Sequence, residues 1–248
     1  MPPALSARAL RRDDWIVLAC LALAAALALA WLMRGAGLSM GAMMAPPFSA
    51  AYLGPAFAMW ALMMVAMMLP SATPMILLHA RVARQGGGGP LPRATLVFAL
   101  VYVLLWSGFA LFAALAQAAL VAAGALSAMS LAIGDRLAVA ALLLVAAGWQ
   151  LAPLKRACLD KCRSPLTFLL RGFRPGWRGA LRLGFAHGFY CIGCCWALML
   201  LLFVGGVMNL GWIAALGAVV VVEKYGPAWS SRAIAGLLAI SAALALWS

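Results

Sequence analysis

Apolar residues run through this chain in long, nearly uninterrupted stretches. They fall at roughly 15–33, 55–79, 94–122, 131–152, 184–207, 211–223 with its flanks, and 229–247, separated by Gly, Pro or Arg clusters. A hydrocarbon core about 30 Å thick needs roughly 20 mostly apolar residues per helical crossing. A helix satisfies every backbone N–H and C=O within its own segment, so it can enter that medium alone. The pattern therefore predicts an all-α fold, a polytopic transmembrane helix bundle of about seven spans, the sixth of them short. The first stretch, preceded by Arg8, Arg11 and Arg12, is too long for the apolar core of a signal peptide and predicts an uncleaved anchor.

The interruptions carry information of their own. In "MWALMMVAMMLPSATPMILLHA", Pro70 and Pro74 are expected to kink or break the second span, with Ser71 and Thr73 placed to satisfy freed carbonyls. "RQGGGGP" predicts a flexible turn. The segment 153–183 mixes spaced arginines with an apolar cluster at 166–170 and predicts a helix lying in the membrane interface. No internal repeat and no appended soluble domain is evident, so residues 1–248 read as one helical domain.

Composition sharpens this reading: 67% of the 248 residues are hydrophobic and 9% are charged, with a mean hydropathy of +1.07. The net charge of +13 would suggest nucleic acid in a soluble protein, but its placement excludes that. All of the 18 Lys and Arg residues except Arg34 and Arg136 fall in alternate connections. The positive-inside rule then sets the N-terminus in the cytoplasm and the C-terminus in the periplasm, as for a multi-pass protein of a bacterial inner membrane. Anionic lipid headgroups are the expected partners of the basic segment.

The fifth span, "GFAHGFYCIGCCWALMLLLFVGGVMN", holds one of two histidines and three of six cysteines. At 100° per residue His187, Cys191, Cys194 and Cys195 share an arc of roughly 100°, and Met199 extends its edge. Thiolate, thioether and imidazole are the ligands that Cu(I) prefers, with zinc second. The second span carries Met59, Met63 and Met67 at i, i+4 and i+8, then Met75 and His79 at the same spacing. Buried thiols and thioethers also serve as plain packing. If these two antiparallel spans are neighbours with His79 level with His187, Met75 falls beside Cys191 and Met67 beside Met199, which predicts a column of soft ligands. Cys158 and Cys162 in "CLDKC" are a secondary candidate pair, and Glu223 is read chiefly as a headgroup-level ion pair with Lys224.

"MMVAMMLPSATPM", "CLDKCRSPL", "GFAHGFYCIGCCWALMLLLFVGGVMNL" and "EKYGP" together resemble a bacterial family of predicted metal-binding integral membrane proteins, domain of unknown function 2182, over roughly residues 55–230. The resemblance implies a metal site built on the His and Cys of the fifth span. Three functions remain open: Cu(I) transport, or Cu(I) delivery to a metallochaperone or metalloenzyme partner; a redox protein with a haem between His79 and His187; or an assembly subunit whose thiols only pack. There is no Walker motif and no other sign of an enzyme.

Overall fold

The computed structural model describes residues 12–34, 40–85, 93–127 and 130–247. Arg8 and Arg11, the glycine turn after Gln85 and the side chains of Met40 and Met43 lie outside the described residues. Among the described residues the chain is helical and contains no strand, with one isolated bridge between Leu126 and Ile133. The helices are α1 (Arg12–Met33), α2 (Met40–Met44), α3 (Ala50–Gln85), α4 (Arg93–Ala122), α5 (Arg136–Leu151), α6 (Pro153–Arg163), α7 (Pro165–Gly172), α8 (Trp177–Leu200), α9 (Leu202–Gly205), α10 (Leu210–Tyr225) and α11 (Ser230–Trp247).

Each apolar stretch of the sequence holds a helix, but the capacity to cross a membrane is less than seven-fold. Five helices are long and apolar enough: α1, α3, α4, α8 continued through α9, and α11. A sixth arises if α5 and α6, bent by 64° at Ala152, act as one broken span. The differences have local causes. Asp135 caps α5 by accepting from the Ala138 N–H at 2.7 Å, and Pro153, which has no N–H to donate, opens α6. The resulting 16 residues of α5 rise about 24 Å, short of a hydrocarbon core. α10 is likewise 16 residues, set between the Asn209 cap and Gly226. α8 starts at Trp177, earlier than the apolar run suggests, after Gly176 with φ of 85°, a backbone conformation suited to glycine.

α3 continues through Pro55, Pro70 and Pro74 rather than breaking. Ser71 Oγ donates to the Met68 carbonyl at 2.8 Å and Thr73 Oγ1 to the Leu69 carbonyl at 3.1 Å. Neighbouring helices add donors to the same region: Tyr102 OH to the Met68 carbonyl at 3.1 Å and Tyr225 OH to the Ser71 carbonyl at 2.5 Å. The proline region of α3 is thus tied to α4 and α10.

Packing orders the helices around that region. α3 lies against α1 and α4, α4 also lies against α8, and α6 crosses α8. Gly184 and Gly188 make the α4–α8 approach possible: a Cβ at the first would meet the Phe98 carbonyl at 2.8 Å, and one at the second Leu105 Cδ1 at 2.5 Å. Their spacing is the small-xxx-small pattern of close helix pairs. Across α3 and α4, Trp60 Nε1 donates to Gln117 Oε1 at 2.8 Å, and Gln117 Nε2 to Tyr52 OH at 2.9 Å. The buried Asp14 of α1 pairs with Arg81, at 2.9 Å, and with Arg84, both at the end of α3.

The most enclosed ion pair joins α6 to α10. Lys155 Nζ lies 2.7 Å from Glu223 Oε2, with side-chain exposures of 1% and 2%, and also donates to Gln150 Oε1. Arg163 adds bonds of 2.8 and 2.6 Å to the Glu223 carbonyl. Glu223 therefore pairs with Lys155 instead of its sequence neighbour Lys224. Removing one partner of such a pair strands a buried charge, so Glu223→Ala is expected to lower stability by about 3–5 kcal/mol. Lys155→Met combined with Glu223→Leu should restore most of the loss. Thermal unfolding in detergent checks this, and a double variant as unstable as the single one would show that the pair is not what holds α6.

Candidate metal centre

The sulfurs of Cys191, Cys194 and Cys195 lie within 4.8 Å of one another. The α-helical repeat brings them to one face of α8, and all three are 2% exposed or less. Cys194 Sγ and Cys195 Sγ donate to the Cys191 carbonyl at 3.0 and 2.9 Å, which turns both thiols back toward Cys191. Cys195 Sγ also approaches Met68 Sδ of α3 at 4.0 Å.

A fourth thiol arrives from a different part of the chain. Because α6 folds back across α8, Cys162 is brought close to Cys191 and Cys194. Cys158, one turn earlier on α6, stands over Gly193, where a Cβ would come 2.8 Å from its Sγ. Glycine at 193 is what lets the sulfur-bearing faces of the two helices meet. The sequence pair "CLDKC" and the cysteines of α8 are thus parts of one sulfur-lined centre, and Cys20 is the described cysteine exposed on α1.

Lys224 contributes the charge. Its ammonium is 3% exposed and donates to Cys191 Sγ at 3.1 Å and to Ser71 Oγ at 2.8 Å. Tyr102 OH lies 3.2 Å from the same sulfur. Cys191 is therefore the hub, touched by an ammonium, a phenol and a neighbouring thiol. Met68, Tyr102 and Lys224 are the centre's members that the periodicity of the sequence did not single out. Met68 lies four residues after Met64, the same spacing as the neighbouring methionine stripe, and is the one trace of them in the pattern.

The two histidines lie among aromatic rings. His187, one turn before Cys191, stacks near Phe98 at 5.8 Å and Tyr102 at 5.4 Å. Both of its ring nitrogens are buried without a hydrogen-bond partner. His79 also stacks on Phe98, at 4.9 Å, and its Nδ1 meets Thr95 Oγ1 at 3.0 Å. Phe98 is thus a ring neighbour of both imidazoles. Met59, Met63, Met67, Met75 and Met199 are all buried in the surrounding core. Met67 packs toward Gly217 of α10.

Four thiols, a thioether and a bare imidazole, with the nearby carboxylate of Glu223 occupied by Lys155, form a soft donor set suited to Cu(I) and, through the thiols, to zinc. No curated protein and no solved structure matches the chain. A family match does, across residues 57–248, a stretch that takes in every cysteine of the centre, His79, His187 and Lys224. The chain belongs to the PpoB2 copper chaperone family.

Proposed function

We propose that the protein is a membrane-embedded Cu(I) chaperone that takes the ion as cargo into the sulfur centre of α6 and α8 and passes it to a copper-requiring partner protein. The observation that carries this is the convergence of Cys191, Cys194 and Cys195 within 4.8 Å. Thiolates hold Cu(I) firmly and exchange it by stepwise substitution, while the Met68 thioether is a weaker, releasable ligand. The test is equilibrium competition for Cu(I) by the purified protein in detergent under reducing conditions. Binding tight enough to withdraw the ion from a chromogenic Cu(I) chelator is expected. A protein that leaves the chelator fully loaded is not a Cu(I) chaperone.

Several features support placement in a bacterial inner membrane. The outer faces of the long helices expose large apolar side chains, among them Leu104, Phe112, Leu144 and Ile240, a surface unsuited to water. The basic residues cluster in alternate connections. With the N-terminus in the cytoplasm and α5 with α6 crossing as one broken span, a reporter fused after Gly89 or Arg178 should be cytoplasmic and one fused after Ser127 periplasmic. Reporters in the opposite compartments would reverse this topology.

A further inference from the structure

A cavity of about 460 Å³ opens where α6, α7 and the first turns of α8 meet. Lys161, Arg171, Arg174 and Arg182 line it, against the single acid Asp160, and its inner wall includes the rings of Phe168 and Tyr190. Phe168 is also the ring next to His187, with centroids 5.9 Å apart. The cavity is thus separated by one aromatic side chain from a buried imidazole with two unused nitrogens. Cys191 lies one helical turn beyond that imidazole.

The size suits a small molecule, and the excess of cationic groups selects for an anion. Guanidinium groups pair in fork geometry with carboxylates. Cu(I) held by two thiolates is itself an anion, and it becomes more negative when the thiols carry carboxylates. Building on the Cu(I) reading above, we propose that this cavity is the docking site for a small, carboxylate-bearing thiol complex of Cu(I), with His187 as the first acceptor on the way to Cys191. Copper remains Cu(I) throughout. A Cu–S bond to the carrier breaks as a Cu–N bond to His187 forms. That Cu–N bond then gives way to a Cu–S bond with Cys191, whose thiol proton passes to the carrier thiolate already released. The second carrier thiolate leaves in the same way, taking the proton of Cys194 as Cys194 Sγ replaces it on copper. The wall of positive side chains holds the carrier's carboxylates while the exchange proceeds.

The test uses the full chain in nanodiscs of neutral lipid, loaded with Cu(I) either as its glutathione complex or as its acetonitrile complex, which bears no anionic group. In Arg171→Ala/Arg182→Ala the half-saturating concentration of the glutathione complex should rise roughly tenfold more than that of the acetonitrile complex. S-methylglutathione, which keeps the carboxylates and lacks the thiol, should compete with the glutathione complex on the wild-type protein. Equal changes for both complexes, or no change for either, would overturn the docking site while leaving the sulfur centre in place. Failure of the wild-type protein to load from either complex would instead remove the Cu(I) reading on which the docking site rests. In a parallel arm, phosphatidylglycerol that copurifies with the wild type and is lost from the double variant, together with no competition by S-methylglutathione, would assign the cavity to a lipid headgroup and overturn the carrier.

Discussion

Cys191→Ser is expected to reduce Cu(I) affinity by more than about 100-fold, since changes merely supporting a metal's ligands cost 10- to 100-fold and here a hub ligand is lost. Cys191 Sγ meets both Lys224 and Tyr102, and its carbonyl accepts from two other thiols. Cys162→Ser should have a smaller effect, because three sulfurs on α8 remain in place. Combining the two should cost much less than the product of the single effects, as groups sharing one partner are strongly non-additive. His79→Ala, at a ring that meets Thr95 and Phe98 rather than a thiol, should combine with Cys191→Ser nearly independently. Competition titrations on the single and double variants decide this. Unchanged copper affinity in Cys191→Ser would take α8 out of the copper site.

The part of this centre on α8 was legible in the sequence because it depends on one number, the helical repeat. His187, Cys191, Cys194 and Cys195 share an arc in any α-helix. Cys158 and Cys162 were legible as a candidate pair, but their meeting with α8 was not, because it depends on the 64° bend at Ala152 and on Gly193 leaving room for Cys158. Neither leaves a periodic signal. The antiparallel register set Met75 beside Cys191 and Met67 beside Met199, whereas the α3 sulfur that meets a thiol of α8 is Met68, 4.0 Å from Cys195. The cause is that α4 packs on both helices and that Tyr102 and Lys224 bridge from Met68 and Ser71 to Cys191. Two helices joined through others need not keep a simple antiparallel register. The helical fold was readable from hydropathy, while the lengths of α5 and α10 turned on caps and a proline.

Lys224→Met is expected to weaken Cu(I) binding by roughly 10- to 100-fold while leaving zinc affinity unchanged or higher, a reversal of preference rather than a general loss. The reason is charge. A buried ammonium without an anionic partner is strongly unfavourable, and Glu223, its sequence neighbour, already pairs with Lys155. The positive charge of Lys224 is directed instead at Cys191 Sγ, 3.1 Å away. Cu(I) on two thiolates carries one negative charge, so with Lys224 beside it the buried assembly is neutral. Zinc held by two thiolates and two neutral ligands is neutral already, and Lys224 then adds an uncompensated positive charge in a setting where such charges are costly. Replacing the ammonium by the apolar methionine removes the compensation from the copper complex and the repulsion from the zinc complex. Parallel titrations of the wild type and Lys224→Met with Cu(I) and with Zn(II) give the ratio directly. A fall of equal size for both ions would mean that Lys224 only packs the centre, and an unchanged copper affinity would mean that its charge plays no part in choosing the metal.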